Sequence, residues 1–240
     1  MTELFEVWVY LAEQPLLWLT LTLVCYAAAH ALFKAANGFA LLNPVLIAVI
    51  LLVGILALTN TTYEQYFAGA QFVHFLLGPA TVALAVPLYS HAQQLRRLWL
   101  PLSIALIAGS TTAIVAALVL GTGLGLEREI ILSLLPKSAT TPVAMGVAER
   151  VGGIPSLTAV FVILTGITGA IVGVPLLRLL GERKASTKGF AVGVAAHGIA
   201  TASAFQHSER AGAYAGLGMG LNAALTALLV PALLWLFTLF

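Results

Sequence analysis

Eight apolar stretches follow one another almost without pause along this chain: residues 15–33, 41–59, 68–91, 98–121, 129–149, 156–180, 188–206 and 212–239. About 20 apolar residues in a helix cross the hydrocarbon of a bilayer. Only 8% of the 240 residues are charged and 60% are hydrophobic, whereas soluble domains carry about a quarter charged residues. The pattern predicts an all-α polytopic membrane protein, a single transmembrane domain over 1–240 with about 7–8 hydrophobic segments, set in a bacterial inner membrane. A net charge of +2 without a basic run excludes nucleic-acid binding. Cys25 is alone, which excludes disulfides and thiolate metal clusters. The acidic start, Met1-Thr2-Glu3-Leu4-Phe5-Glu6, predicts no cleavable leader.

Charge then tests the topology. Arg96-Arg97 and the stretch holding Arg178, Arg183, Lys184 and Lys188 are the most basic loops, and basic loops stay cytoplasmic. Three apolar segments lie between them, but loops on one side need an even number of crossings. One segment therefore fails to span. The best candidate is 129–149, read as a broken or re-entrant element.

That segment contains Leu134-Leu135-Pro136-Lys137-Ser138-Ala139-Thr140-Thr141-Pro142. A lysine in hydrocarbon costs roughly 3 kcal/mol on insertion scales, so it needs a partner or a water-filled cavity. The prolines interrupt the helix, and unpaired backbone at membrane depth persists only where it lines a site. Lys137, Ser138, Thr140 and Thr141 together suit a carboxylate: one charge, several hydroxyls, and the positive end of a half-helix beginning after Pro142. The plainer alternative is a lysine that snorkels from a kinked helix.

A weak repeat accompanies this run. Gly78-Pro79-Ala80-Thr81 parallels Gly198-Ile199-Ala200-Thr201 at an offset of 120 (198 − 78). Repeat 1 covers about 41–121 and repeat 2 about 156–239, linked by the broken segment at 127–153. The charge-based topology makes the halves inverted, and paired Gly/Pro-interrupted helices in inverted halves mark a midplane site in secondary transporters. Gly78, Thr81, Gly198 and Thr201 join the candidate substrate site. Chance likeness between Gly/Ala/Thr-rich helices is the competing explanation.

Other polar residues are open to two readings. His197, beside Gly198, carries a coupled proton or is a neutral packed ring; His74 is a weaker case. Glu149 pairs Lys137, binds a coupling cation, or forms an interfacial bridge with Arg150. Asn43-Pro44 is a helix cap, and Asn222 joins helices within the membrane. Gly/Ala-rich helices favour a homodimer. No metal or cofactor is expected. HExxH, GxSxG and Walker motifs are absent. Ser138 adjacent to Lys137 diverges from it on a helix, so no enzyme is expected.

Four ordered motifs resemble the LrgB/CidB family of bacterial membrane proteins, whose relatives include the plastidial glycolate/glycerate translocator. They are Leu77-Gly78-Pro79-Ala80-Thr81 with Pro87-Leu88-Tyr89, Pro136-Lys137-Ser138-Ala139-Thr140-Thr141-Pro142, Gly152-Gly153-Ile154-Pro155, and His197-Gly198-Ile199-Ala200-Thr201. One departure is Ala200, where relatives often carry a second glycine. The resemblance implies either of two functions. One is a holin/antiholin-like regulator of murein hydrolase activity and lysis, acting with a small LrgA/CidA-type membrane partner. The other is transport of small carboxylates such as glycolate, glycerate or pyruvate. The lysine among broken helices favours a secondary transporter working by alternating access, with H+ or Na+ as coupling ion.

Overall fold

The computed structural model describes residues 15–36, 39–76, 79, 83, 89 and 92–238. Its elements are helical, and the chain forms two compact units, 1–83 and 84–240.

The first unit holds α1 (Pro15–Ala35), a short 3-10 turn (Ala40–Leu42), α2 (Pro44–Thr59) and α3 (Tyr63–Phe75). The Asn43-Pro44 pair does cap α2: the Asn43 side-chain oxygen accepts from the backbone N–H groups of Val45 (3.0 Å) and Leu46 (3.3 Å). Thr62 and Gln65 form a reciprocal capping box at the start of α3. Trp18, fully buried, packs edge-on against Tyr66.

The second unit holds α4 (Ala92–Arg97), α5 (Trp99–Gly123), α6 (Arg128–Leu134), α7 (Thr141–Val151), α8 (Pro155–Leu179), α9 (Ala185–His207) and α10 (Glu209–Thr238). Among the described residues, four helices are long and apolar enough to cross a membrane: Leu16–Ala35, Trp99–Gly123, Pro155–Leu179 and Glu209–Leu236. Their outward faces carry large apolar side chains such as Ile104, Leu164 and Leu228, a surface suited to lipid rather than water. The shortfall from about 7–8 segments has local causes. α2 has 16 residues, the stretch 129–149 is split, α9 is interrupted, and much of 68–91 lies outside the described residues.

Interruption turns both of those elements into hairpins. α6 ends at Leu134, a non-helical stretch carries Pro136–Thr140, and α7 begins at Thr141, with Pro142 inside its first turn rather than ahead of it. Past α7 the chain returns to the end of α6. The Ile154 N–H donates to Ser133 Oγ at 2.7 Å, and Thr158 Oγ1 donates to the Ser133 carbonyl at 3.0 Å. The tip meets α10 at Asn222, while Leu132 and Val147, on the two arms, cluster with Val230 further along it.

α9 reverses at Ala196–His197, whose backbone angles are non-helical. Before the break, Gly189 abuts the Ala211 carbonyl and Gly193 that of Ala215, so 185–195 runs parallel to α10. Beyond it, Gly198 and Thr201 meet Met219 while Phe205 meets Gly212. The arm 198–207 is therefore antiparallel. A straight helix would hold residues 189 and 205 about 24 Å apart, yet they contact neighbouring residues of α10.

The two hairpins approach from opposite ends of α10, and their tips come to Met219 and Asn222, which share a face near its middle. A glycine stripe makes this packing possible. At Gly189 and Gly193 any side chain would collide with α10 backbone. These two glycines are thus consumed within the chain, whereas Gly54, Gly123, Gly146 and Gly220 have nothing within 4 Å of an added methyl. The repeat at an offset of 120 has no described first member, because Gly78 and Thr81 lie outside the described residues.

Candidate anion site

Lys137 is the most unusual group in the second unit. It sits at the tip of the α6–α7 hairpin, half-buried, with its backbone N–H donating to Leu134 at 3.2 Å. Among the described residues no carboxylate forms an ion pair with it. It lines a cavity of about 530 Å³ between α5 and the 185–195 arm of α9.

The cavity begins beside Leu98, Ser186 and Thr187, at the starts of those helices, and ends at Lys137 and Ser138. Its walls are apolar, with Leu102, Ala105, Phe190 and Val194 among them. Beyond the tip a packed cluster of Ile114, Ile131, Leu135, Val147 and Val230 closes the other direction.

Hydrogen bonds fix the tip. Asn222 Nδ2 donates to the Ser138 carbonyl at 2.9 Å, and Asn222 Oδ1 accepts from Ser110 Oγ of α5 at 2.6 Å. Asn222, Ser110 and Ser138 are all buried, so these bonds count for more than surface ones. Thr140 is the N-cap of α7 and makes no side-chain cap bond, which leaves first-turn N–H groups of α7 without that partner. The positive pole of the helix lies four residues from Lys137.

The structure brings together only part of the expected site. Lys137 and Ser138 line the cavity; Thr140 and Thr141 stand behind them at the start of α7 and do not. Gly198 and Thr201 belong to the other hairpin. The Thr201 hydroxyl donates to the His197 carbonyl at 2.8 Å. His197 is buried, and its Nε2 donates to the Val162 carbonyl at 2.8 Å. Glu149 does not pair with Lys137: it is exposed, eight residues into α7 and about 12 Å along the axis from the tip. Gly78 and Thr81 lie outside the described residues.

Sequence reasoning missed the opposite wall. Phe190, Val194, Ser186, Thr187 and Tyr214 complete the cavity. The available signal was modest: one tyrosine in the small-residue run Ala211–Gly220, and two hydroxyls opening α9.

Likeness to known proteins is found at the level of sequence. The model of the LrgB-like family matches residues 22–236. The chain belongs to the LrgB-like family. It is 35% identical over 227 residues to the uncharacterized protein YxaC of Bacillus subtilis (strain 168), covering 94% of this chain and 99% of that relative. It is 30% identical over 217 residues to the antiholin-like protein LrgB of Bacillus mycoides (strain KBAB4), covering 90% of this chain and 94% of the relative. The LrgB protein of Bacillus cereus (strain B4264) matches equally well. No solved structure matches. Membership of this family and four helices long and apolar enough to cross a bilayer together fit a membrane protein.

Proposed function

We propose that this LrgB-like protein is an antiholin-like membrane protein whose molecular work is to pass small carboxylates of the glycolate, glycerate or pyruvate kind across a bacterial inner membrane. The relatives' names support the antiholin-like half of this reading more directly than the transport half, since neither LrgB relative is named a transporter. The transport half rests on one observation: Lys137, without a carboxylate partner among the described residues, closes an apolar cavity where two hairpin tips converge.

A carboxylate entering from the Ser186 end neutralises Lys137 and accepts from the Ser138 hydroxyl. Movement of the α6–α7 hairpin against α8 and α10 then exposes the loaded site to the opposite face. The protein acts without catalysis. His197 and Glu149 are the candidate proton carriers, and Na+ is the alternative coupling ion. An LrgA/CidA-type small protein is the partner, and a homodimer is the assembly state.

The test is uptake of radiolabelled glycolate and pyruvate into proteoliposomes, wild type beside Lys137→Ala. Saturable uptake abolished by the substitution supports carriage through this site. The rival reading, favoured by the relatives' names, is a holin/antiholin-like oligomer that regulates lysis without a selective path. It predicts leakage of dyes and ions that Lys137→Ala leaves unchanged.

A further inference from the structure

Resting on the transport reading above, we infer that the basic end of the second unit is a collecting rim: the field of its side chains draws small anions to the cavity mouth, so that Lys137 holds the carboxylate and the rim governs how fast it arrives.

The grounds are where the charges fall. Arg96 and Arg97 directly precede Leu98, which lines the mouth. Lys184 and Lys188 bracket the two mouth residues of α9, Ser186 and Thr187. Gly173 of α8 faces Val192, and Gly189 faces Ala211. That packing brings Arg178, at the end of α8, and Arg210, at the start of α10, to the same end, and Arg183 lies in the loop between α8 and α9. Against these seven cations stand Glu182 and Glu209, and Glu182 already accepts from the Lys184 backbone N–H at 2.7 Å. Among the described residues no ion pair ties up any of them. The other end of the unit carries Arg128 and Arg150 with three carboxylates, Glu127, Glu129 and Glu149. Apart from Lys137, the excess of positive charge in this unit is therefore all at the mouth.

Distance separates the two roles. From Leu98 to Ala113, both on the cavity wall, α5 rises about 22 Å. Physiological salt cuts the reach of an exposed charge to about 8 Å. The rim thus acts on anions at the mouth and not on one already beside Lys137. Charge of one sign around a cleft with apolar walls raises the local concentration of the opposite ion and its rate of entry by about 10–10³-fold. The gain shrinks as salt is added.

The first test does not require transport. In a Cys25→Ala background, Ser186→Cys in a neutral detergent is labelled with two thiol reagents of matched size, one anionic and one cationic. Each rate is divided by that with neutral 2-mercaptoethanol, and comparing the two reagents cancels any change in the thiol itself. At about 10 mM salt, where screening extends to about 30 Å, the anionic reagent should lead by at least about tenfold. At about 1 M salt the lead should vanish. The quadruple variant Arg96→Gln, Arg97→Gln, Lys184→Gln, Lys188→Gln should lose most of the lead, whereas Lys184→Arg with Lys188→Arg should keep it. Arg128→Gln with Arg150→Gln, at the other end, should leave it as it is. The second test is uptake of radiolabelled glycolate into proteoliposomes, in which the quadruple variant should raise KM severalfold at low salt with little change in maximal rate. An anionic lead without any uptake would leave the rim as inferred and overturn the transport reading. Equal rates for the two reagents at low salt, or a lead that the quadruple variant keeps, would overturn the inference, while saturable uptake by the same protein would leave transport standing. No reaction with either reagent would mean that Ser186 does not face the mouth, and would overturn the inference as well.

Discussion

His197 Nε2 donates to the main-chain oxygen of Val162 at 2.8 Å, and the side chain of that same valine is packed against Ala139 and Ala144 of the other hairpin. One residue of α8 thus touches both interruptions of the chain. Met219 and Asn222 do the same from α10, the first against Gly198 and Thr201, the second against Ser138. Neither hairpin tip is free-standing, and a change in one is felt by the other through α8 and α10.

Asn222 carries the tightest of these ties. Asn222→Leu removes the donor to the Ser138 carbonyl and the acceptor for Ser110 and, more weakly, Thr226, leaving three buried groups without those bonds. A buried orphan costs about 1–3 kcal/mol, so the melting temperature in detergent should fall by several degrees. Ser110→Ala should cost about 1 kcal/mol. The double variant should be less unstable than the sum, because the two losses share one bond.

Glycine position along α9 and α10 separates packing from composition. Gly193→Val places a side chain on the Ala215 backbone and should abolish recovery of folded, monodisperse protein. At Gly220 an added methyl meets nothing within 4 Å, and Gly220→Ala should raise stability by about 0.5–1 kcal/mol through helix propensity. Equal behaviour of the two variants would contradict the register of the hairpin.

The His197 backbone gives an unusual ordering of substitutions. Its φ of 43° with ψ of −140° lies where side-chain-bearing residues are strained by about 1–3 kcal/mol. Both His197→Ala and His197→Gly lose the bond to Val162, but only glycine is relieved of the strain. His197→Gly should therefore unfold at a higher temperature than His197→Ala, the reverse of the order expected in a regular helix.

Labelling reports the direction from which solutes reach the site. In a Cys25→Ala background, Ser186→Cys and Lys137→Cys should react with a membrane-impermeant thiol reagent added to the same face of sealed vesicles. Val147→Cys, packed in the cluster beyond the tip, should resist the reagent from either face. Reaction of Lys137→Cys only from the face opposite Ser186→Cys would mean that solutes reach the lysine through the cluster and not past Ser186.

The break at 136–140 was readable because proline and lysine are both costly in a membrane helix and stand together. The break at 196–197 left a fainter trace. No proline marks it, and a histidine next to glycine reads equally well as a packed ring, although the repeat did point to Gly198. Reversal of the chain there depends on Gly189 and Gly193 lying against Ala211 and Ala215, a pairing across distant positions that no local pattern encodes. Likewise the cavity wall that sequence reasoning missed comes from two separate helices, α9 and α10. Phe190 and Val194 look, one by one, like ordinary lipid-facing residues. Of the three readings open for Glu149, the pairing with Lys137 fails for the converse reason: closeness in sequence becomes distance once α7 is extended between them.

Were the cavity beside Lys137 filled with water, a transmembrane potential would fall mostly across the packed cluster of Ile114, Ile131, Leu135, Val147 and Val230 beyond it, with the Lys137 side chain where the drop begins. Shifting its charge across the drop is worth about 2.3 kcal/mol per 100 mV, whereas a site neutralised by a bound carboxylate moves without electrical work. Voltage would then govern the return of the empty site and leave the loaded one indifferent, so that a charged membrane acts on this protein as a rectifier.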